Sequence, residues 1–140
     1  MTDSFFVRDF MLENPVKISP DATIDEAAKM LIDNRISGLT VVDAQDNVVG
    51  VLSELDCLRA TISTTYNEGN TGSGLVGEYM TSTVDSLSPD DDLVSVAQSM
   101  LQARQRRRPV VKDGKLVGQV SCRNILWAVG NYASRGKKQD

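Results

Sequence analysis

The sequence predicts an α/β fold built from two copies of one βαββα unit. The first observation is an internal repeat, in which Val7–Met11 matches Val76–Met80 and Ser19–Asp21 matches Ser88–Asp90, both 69 residues apart. The second is periodicity, because each copy has one stretch of helical spacing followed by two short apolar runs. A single copy of roughly 60 residues buries little apolar surface, so we expect the copies to share a core, through their sheets or through their helix pairs.

Each copy is expected to begin with a short strand, Val16–Ile18 in the first, and to continue into a capped helix. Thr23 and Glu26 have the spacing of a capping box, in which each side chain bonds the backbone N–H group of the other. The apolar positions that follow lie on one helix face: Ile24, Ala27, Ala28 and Leu31. In the second copy the cap is Asp92, and the matching apolar positions are Leu93, Val96, Ala97 and Met100.

Two apolar runs after each of these helices predict a pair of strands and then a second helix. The strands are expected at Leu39–Val42 and Val48–Leu52 in the first copy, and at Pro109–Val111 and Leu116–Val120 in the second. The Asp113-Gly114 pair is a strong signal for a two-residue hairpin turn. The second helices are expected from Glu54 to about Thr64 and from Cys122 to about Tyr132.

This layout divides the chain into four segments. We expect a first repeat with its N-terminal segment at 1–66, a flexible linker rich in Gly, Asn and Thr at 67–75, a second repeat at 76–133 and a polar tail at 134–140.

The composition disfavours several classes of protein. Histidine is absent, and Cys57 and Cys122 lack the spacing of a metal site, so we expect no metal and no catalytic centre. A net charge of −4 argues against nucleic-acid binding. No apolar run approaches the length of a membrane span, and the first residues do not resemble a signal peptide, so we expect a cytoplasmic protein that does not bind membranes.

Two serine motifs end the second strand of each copy. Ser53 precedes Asp56 by three residues, and Ser121 precedes Asn124 by three residues. This spacing is typical of a helix N-cap. It also suits a ligand site, because a glycine three residues before each serine permits close approach of a ligand.

An arginine run, Arg106–Arg108, comes directly before the strand that is expected at Pro109–Val111 in the second copy. Charge runs usually form solvated surfaces. At the edge of a core strand, however, arginines are well placed to pair with phosphate oxygens. The first copy has Ser37, Gly38 and Leu39 at the corresponding positions.

The ordered set of motifs resembles a tandem pair of CBS domains, the cystathionine-β-synthase repeat, in the arrangement called a Bateman module. In the first copy the resemblance is carried by Val7–Met11, Ser19–Thr23, Thr40–Asp43 and Gly50–Asp56. The second copy repeats these motifs, and the resemblance extends from Val7 to about Ala133.

The resemblance implies that the copies pack through their sheets around a pseudo-twofold axis and leave two clefts. In this family the clefts commonly bind AMP, ADP or ATP, and sometimes NAD or S-adenosylmethionine; no cofactor is required. The implied ribose ligands are Asp56 and Asn124, and the implied partners of phosphate or ribose are Ser53 and Ser121. The implied phosphate ligands are Arg106 and Arg107. The adenine is expected between Ile18 and Leu39, or between Leu87 and Pro109.

The sequence departs from the family pattern at two places. Asn124 stands where an aspartate is more usual, and an amide is a weaker acceptor than a carboxylate for a ribose hydroxyl. The first copy has no arginines at Ser37 and Gly38. We therefore expect one good site, with the ribose on Asp56 or Asn124 and the phosphates on Arg106 and Arg107. The sequence leaves open which serine motif cooperates with the arginines.

These features favour a regulatory module that binds an adenosine nucleotide and alters the activity of a separate, unknown protein partner. The alternative is a dimerisation or interaction module with no bound ligand. A homodimer is expected in either case, since family modules often dimerise through their helices. A small enzyme is disfavoured, because no nucleophile–base pair or metal cluster is recognisable.

Overall fold

The computed structural model describes residues 5–68 and 74–135. In chain order the elements are α1 (Val7–Phe10), β1 (Leu12–Glu13), β2 (Lys17–Ile18), α2 (Ile24–Asn34), β3 (Gly38–Val42), β4 (Val48–Ser53), α3 (Glu54–Glu68), α4 (Val76–Tyr79), α5 (Leu93–Ala103), β5 (Arg107–Lys112), β6 (Lys115–Ser121) and α6 (Cys122–Arg135). The predicted mixed α/β fold with a repeated sheet-and-helix unit is confirmed. Residues 69–73 of the predicted linker and 136–140 of the predicted tail lie outside the described residues.

The chain forms two compact units, which we name after the copy whose hairpin each contains. The first-copy unit is Val16–Val84, and the second-copy unit combines Met1–Pro15 with Asp85–Asp140. The repeat boundaries predicted at 66 and 76 differ from this division into compact units. The residues before Val16 belong to the second-copy unit, and the residues from 76 to Val84 belong to the first-copy unit.

The first-copy unit contains a three-stranded sheet in the order β2-β3-β4. Strand β2 runs parallel to β3, and β3 pairs antiparallel with β4, so that Gly38 lies opposite Ser53. Helix α3 begins at the residue after β4 ends. The end of β4, the start of β3 and the first turn of α3 therefore meet at one end of this unit.

The second-copy unit repeats this arrangement with a shorter first strand. Its sheet has the order β1-β6-β5. Leu87 forms an isolated parallel bridge to Val110 in β5, at the position that corresponds to the pairing of β2 with β3 in the first-copy unit. Strand β5 pairs antiparallel with β6, so that Arg107 lies opposite Ser121. The two-residue turn at Asp113-Gly114 is confirmed, and both residues have positive φ, as a type I′ turn requires.

The segment before each repeat's first strand pairs with the hairpin of the other copy. Strand β1 pairs antiparallel with β6, and Thr81 forms the equivalent bridge to Val51 in β4. The short helices α1 and α4 begin with equivalent backbone hydrogen bonds. Val7 N donates to Asp91 O at 2.9 Å, and Val76 N donates to Ala22 O at 2.8 Å. Each unit therefore depends on residues that are distant in sequence.

Helix α2 begins at the predicted capping box. Glu26 N donates to Thr23 Oγ1 at 3.1 Å, and Thr23 N donates to Glu26 Oε1 at 2.8 Å. These bonds stabilise the carboxylate and hold the pKa of Glu26 below its ordinary value. Asp92 caps α5 by accepting a bond from Ser95 N at 2.9 Å.

The predicted apolar face of each of these two helices enters a core. In the first-copy unit, the buried side chains of α2 are Ile24, Ala27 and Leu31. In the second-copy unit, those of α5 are Leu93, Val96 and Met100.

The glycines before the two serine motifs provide room for methionine side chains. A Cβ at Gly118 would lie 2.5 Å from Met11 Sδ and 3.0 Å from Leu12 O. A Cβ at Gly50 would lie 2.5 Å from Met80 Sδ and 3.0 Å from Thr81 O. At both glycines, the space that we expected a ligand to approach is therefore occupied by the chain segment that pairs with that hairpin, which contains Met11 at Gly118 and Met80 at Gly50.

We predict that Gly118→Ala and Gly50→Ala each destabilise the fold by about 1–3 kcal/mol, the usual cost of overpacking a filled site. Chemical denaturation measures this change. The matched control is Gly130→Ala in α6, where a Cβ would meet nothing within 4 Å and helix propensity favours alanine. Equal stability of the Gly118 and Gly130 variants would contradict the packing role.

Candidate functional site

The first serine motif caps helix α3. Asp56 N donates to Ser53 Oγ at 3.1 Å, and Ser53 N donates to Asp56 Oδ2 at 2.9 Å. The side chains thus satisfy two backbone donors at the helix start, as in a capping box. This is the capping interpretation of the motif, and the role of Ser53 and Asp56 in ligand binding stays a prediction.

The second serine motif caps helix α6 in the same way. Asn124 N donates to Ser121 Oγ at 3.1 Å, and Ser121 N donates to Asn124 Oδ1 at 3.0 Å. The Ser121 hydroxyl also donates to Asn124 Oδ1 at 2.9 Å. The amide of Asn124 therefore performs the capping role that the carboxylate performs in the first copy, and its contact with a ribose stays a prediction.

The two motifs differ in charge. Asp56 Oδ1 accepts a bond from Arg59 Nη1 at 2.9 Å, and the Asp56 side chain is only 14% exposed while that of Arg59 is 65% exposed.

Burial raises the pKa of the neighbouring Cys57 thiol, and the negative charge of Asp56 raises it further. The thiol is therefore less ionised than a free cysteine and poorly suited to nucleophilic chemistry.

The arginine run lies at the same end of the second-copy unit as Ser121. Arg107 is directly opposite Ser121 in the β5–β6 ladder, and Cys122 N donates to Arg106 O at 2.9 Å. The backbone of this run is thus fixed beside the start of α6. The first-copy unit has the same geometry with Gly38 opposite Ser53 and no arginine at either position.

This pairing settles which serine motif shares a unit with the arginines. The structure brings Arg106 and Arg107 together with the Ser121–Asn124 motif, whereas Ser53 and Asp56 lie in the other unit. Arg106 is exposed and Arg107 is partly buried. The end of the second-copy unit therefore combines cationic side chains, a serine hydroxyl and an amide, a set suited to an anionic ligand with hydroxyl groups.

The apolar residues assigned to the adenine are buried. Ile18 and Leu39 belong to the first-copy core and are 7% and 2% exposed, and Leu87 belongs to the second-copy core and is 5% exposed. Pro109 is buried in β5. Packing alone accounts for this burial, so their contact with a base stays a prediction.

A buried arginine is the feature that the sequence analysis missed. Arg108 is 8% exposed, and its Nε donates to Gln105 Oε1 at 2.6 Å. The signal was present in the repeat, where the corresponding residue is the core leucine Leu39. A charged residue at a core position of one copy indicates either a buried polar contact or a binding role.

The described residues lack two other kinds of feature, a metal site and a membrane-spanning helix. The described residues contain no group of histidine, cysteine or acidic side chains that could hold a metal ion. No helix within the described part of the chain is long and apolar enough to cross a membrane. The cytoplasmic location stays a prediction.

The comparisons with known proteins agree on one family. The CBS domain model matches residues 7–63 and 76–131. CBSX2, a chloroplastic CBS domain-containing protein of Arabidopsis thaliana, is 29% identical over 150 residues, covering 89% of this chain and 63% of CBSX2. Its crystal structure in complex with AMP superposes with a TM-score of 0.81 and 28% identity, covering 92% of this chain and 98% of that chain.

A second structure with a different adenosine compound is similar. It is the CBS domain pair of protein MJ0100 in complex with 5-methylthioadenosine and S-adenosyl-L-methionine. Its TM-score is 0.78 at 27% identity, covering 92% of this chain and 98% of that chain. Enzymes are also among the relatives: an inosine-5'-monophosphate dehydrogenase of Nitrosopumilus maritimus is 30% identical over 116 residues, covering 82% of this chain and 22% of the enzyme.

The matched region is part of longer proteins in most of these relatives. For four curated relatives, the share of their length that matches this chain lies between 43% and 65%. The similarity therefore concerns the paired domain itself.

We predict that Ser53→Ala and Ser121→Ala each destabilise the fold by about 1 kcal/mol without any added ligand, because each removes an N-cap. Chemical denaturation measures the change. Ser53→Thr and Ser121→Thr are the matched controls, since they keep the hydroxyl acceptor, and we expect them to stay close to the parent. Serine-to-alanine variants as stable as the parent would contradict the capping role.

Proposed function

The chain is a member of the CBS domain family, and on that premise we propose that it is a regulatory module that binds an adenosine nucleotide and thereby alters a partner protein. The observation that carries the proposal is the pairing of Arg107 with Ser121 at one end of the second-copy unit. It joins a cation suited to phosphate with a hydroxyl and amide suited to ribose. The AMP complex of CBSX2 supports the choice of an adenosine ligand.

In this proposal the second-copy unit carries the better site. Arg106 and Arg107 bind the phosphate, Ser121 contacts phosphate or ribose, and Asn124 accepts from a ribose hydroxyl. The base lies along the apolar strand residues of the same unit, Leu87 and Pro109, and the corresponding residues of the first-copy unit are Ile18 and Leu39. The first-copy motif, Ser53 with Asp56, is the weaker site, because Ser37 and Gly38 supply no cation.

The expected ligands are AMP, ADP or ATP, with S-adenosylmethionine and NAD as alternatives. The two comparison structures with AMP and with S-adenosyl-L-methionine support this range. Binding changes the arrangement of the module, and the change is passed to a protein partner. The module performs no chemistry itself.

We predict that Arg107→Ala and Asn124→Ala weaken AMP and ATP binding, by about tenfold or more for the arginine, since charge-assisted bonds to a ligand are worth about 1.5–3 kcal/mol. Isothermal titration calorimetry measures the affinities. Asn124→Asp keeps both the cap and an acceptor for ribose, so we expect it to retain binding. Asp56→Ala tests the other motif and should have the smaller effect.

Two results would overturn this assignment. One is an unchanged affinity in both the Asn124→Ala and Asp56→Ala variants. The other is the absence of binding by the parent chain to any of the adenosine compounds. Melting temperatures recorded beside the titrations separate lost binding from lost folding, because both alanine variants also remove a cap.

The second candidate is a dimerisation module, and exposed apolar side chains favour it. On α3, Leu55, Leu58 and Ile62 are 66%, 55% and 48% exposed, at positions that lie on one helix face. On α6, Leu126 and Trp127 are 74% and 54% exposed. Apolar helix faces of this kind are typical of protein–protein contacts, and we propose a homodimer formed through them.

We predict that the chain sediments as a dimer and that Leu58→Glu or Leu126→Glu shifts it to the monomer, because a buried unpaired carboxylate is costly at an interface. Sedimentation velocity measures the mass. Leu101→Glu on α5, where the leucine is 78% exposed, is the control that adds a charge elsewhere. A monomeric parent chain, or dimeric variants at both positions, would contradict the proposed interface.

A further inference from the structure

Three polar side chains form a chain of hydrogen bonds at the start of β5. Arg108 Nε donates to Gln105 Oε1 at 2.6 Å, and Gln105 Nε2 donates to Asp85 Oδ2 at 2.8 Å. The burial decreases along this chain, since Arg108 is buried, Gln105 is partly buried and Asp85 is exposed. The guanidinium is thus the buried end of this chain, and the exposed carboxylate of Asp85 is its other end.

The fold itself does not require these polar groups. In the first copy the three corresponding residues, 69 positions earlier, are Val16, Ile36 and Leu39. Leu39 belongs to the first-copy core, and Val16 and Ile36 pack against it. The same backbone positions are therefore occupied by an apolar cluster in one unit and by a polar cluster in the other.

A buried guanidinium without a carboxylate is costly. Among the described residues, no ion pair joins Arg108 to an acidic side chain. Gln105 is neutral and accepts from one of the five N–H groups of the guanidinium. Buried charges are normally paired, so an apolar residue such as the leucine of the other copy would be the more favourable choice for folding alone.

The buried cation belongs to a larger concentration of arginine at one end of the second-copy unit, which we name the arginine end. Its members precede or begin β5 or lie in the first turn of α6: Arg104, Arg106, Arg107, Arg108 and Arg123. The corresponding residues of the first-copy unit are Arg35, Ser37, Gly38, Leu39 and Leu55. One copy thus has five arginines where the other has one, although the whole chain has a net charge of −4.

We propose that the arginine end binds a di- or triphosphate chain and that Arg108 distinguishes such a chain from a monophosphate. This inference rests on the proposed function, since the phosphates belong to the nucleotide held by Ser121 and Asn124. Arg106 and Arg107 suffice for one phosphate, and Arg108 adds a positive charge and further fork-shaped donors for the next ones. Gln105, held by Asp85, is a positioning residue that orients the guanidinium.

The test is a comparison of ATP, AMP and inorganic triphosphate by calorimetry in magnesium-free buffer. We expect the parent chain to bind ATP more tightly than AMP. Arg108→Leu installs the residue of the first copy and should weaken ATP binding by about tenfold while leaving AMP affinity nearly unchanged. Arg108→Lys keeps the charge without the fork-shaped donors, so we expect its ATP affinity to lie between those of the parent chain and of Arg108→Leu.

Lys112→Leu is the matched control, because it removes one positive charge from the opposite end of the same strand and should leave both affinities unchanged. Equal loss of ATP and AMP affinity in Arg108→Leu, or no loss of either, would overturn the inference while leaving the proposed function in place. A parent chain that binds inorganic triphosphate as tightly as ATP would keep the polyphosphate site and overturn the nucleotide proposal. A parent chain that prefers AMP to ATP overturns the inference directly.

Discussion

The antiparallel pairing of β5 with β6 is the constraint on which the candidate site depends. It places Arg107 opposite Ser121 and ends β6 one residue before α6 begins. The start of one strand, the end of the other and the first turn of a helix therefore meet at one place. Because Ser121 and Asn124 satisfy the backbone donors of that turn, the hydrogen bonds that stabilise the helix also hold the polar groups of the site in position.

The equivalent strand pair of the first-copy unit, β3 with β4, brings different side chains together. The backbone register places Gly38 opposite Ser53, and a serine cap again begins the helix. The side chains differ: a carboxylate, Asp56, paired with Arg59, replaces the amide, and no arginine run precedes the strand. The repeated architecture thus supports two unlike ends, and the difference in charge favours an anionic ligand at the second.

The sequence predicted the features that depend on nearby residues. The capping box at Thr23, the turn at Asp113-Gly114 and the apolar helix faces each follow from residues within one or two turns of one another. The pairing of β1 with β6 could not be predicted, because it joins residues more than one hundred positions apart and has no local signal. The packing at Gly50 and Gly118 had no local signal either, since the methionines that fill the space, Met80 and Met11, come from segments outside the two hairpins. Arg108 was missed because a charge run usually indicates a surface.

An NMR titration of the ¹⁵N-labelled chain with AMP tests the central claim most directly, because it reports on both serine motifs at once. The account predicts saturable shifts concentrated at the amides of Arg106, Arg107, Ser121 and Asn124, with smaller shifts at Ser53 and Asp56. Shifts confined to the first-copy motif, or no saturable shifts at any of these residues, would contradict it.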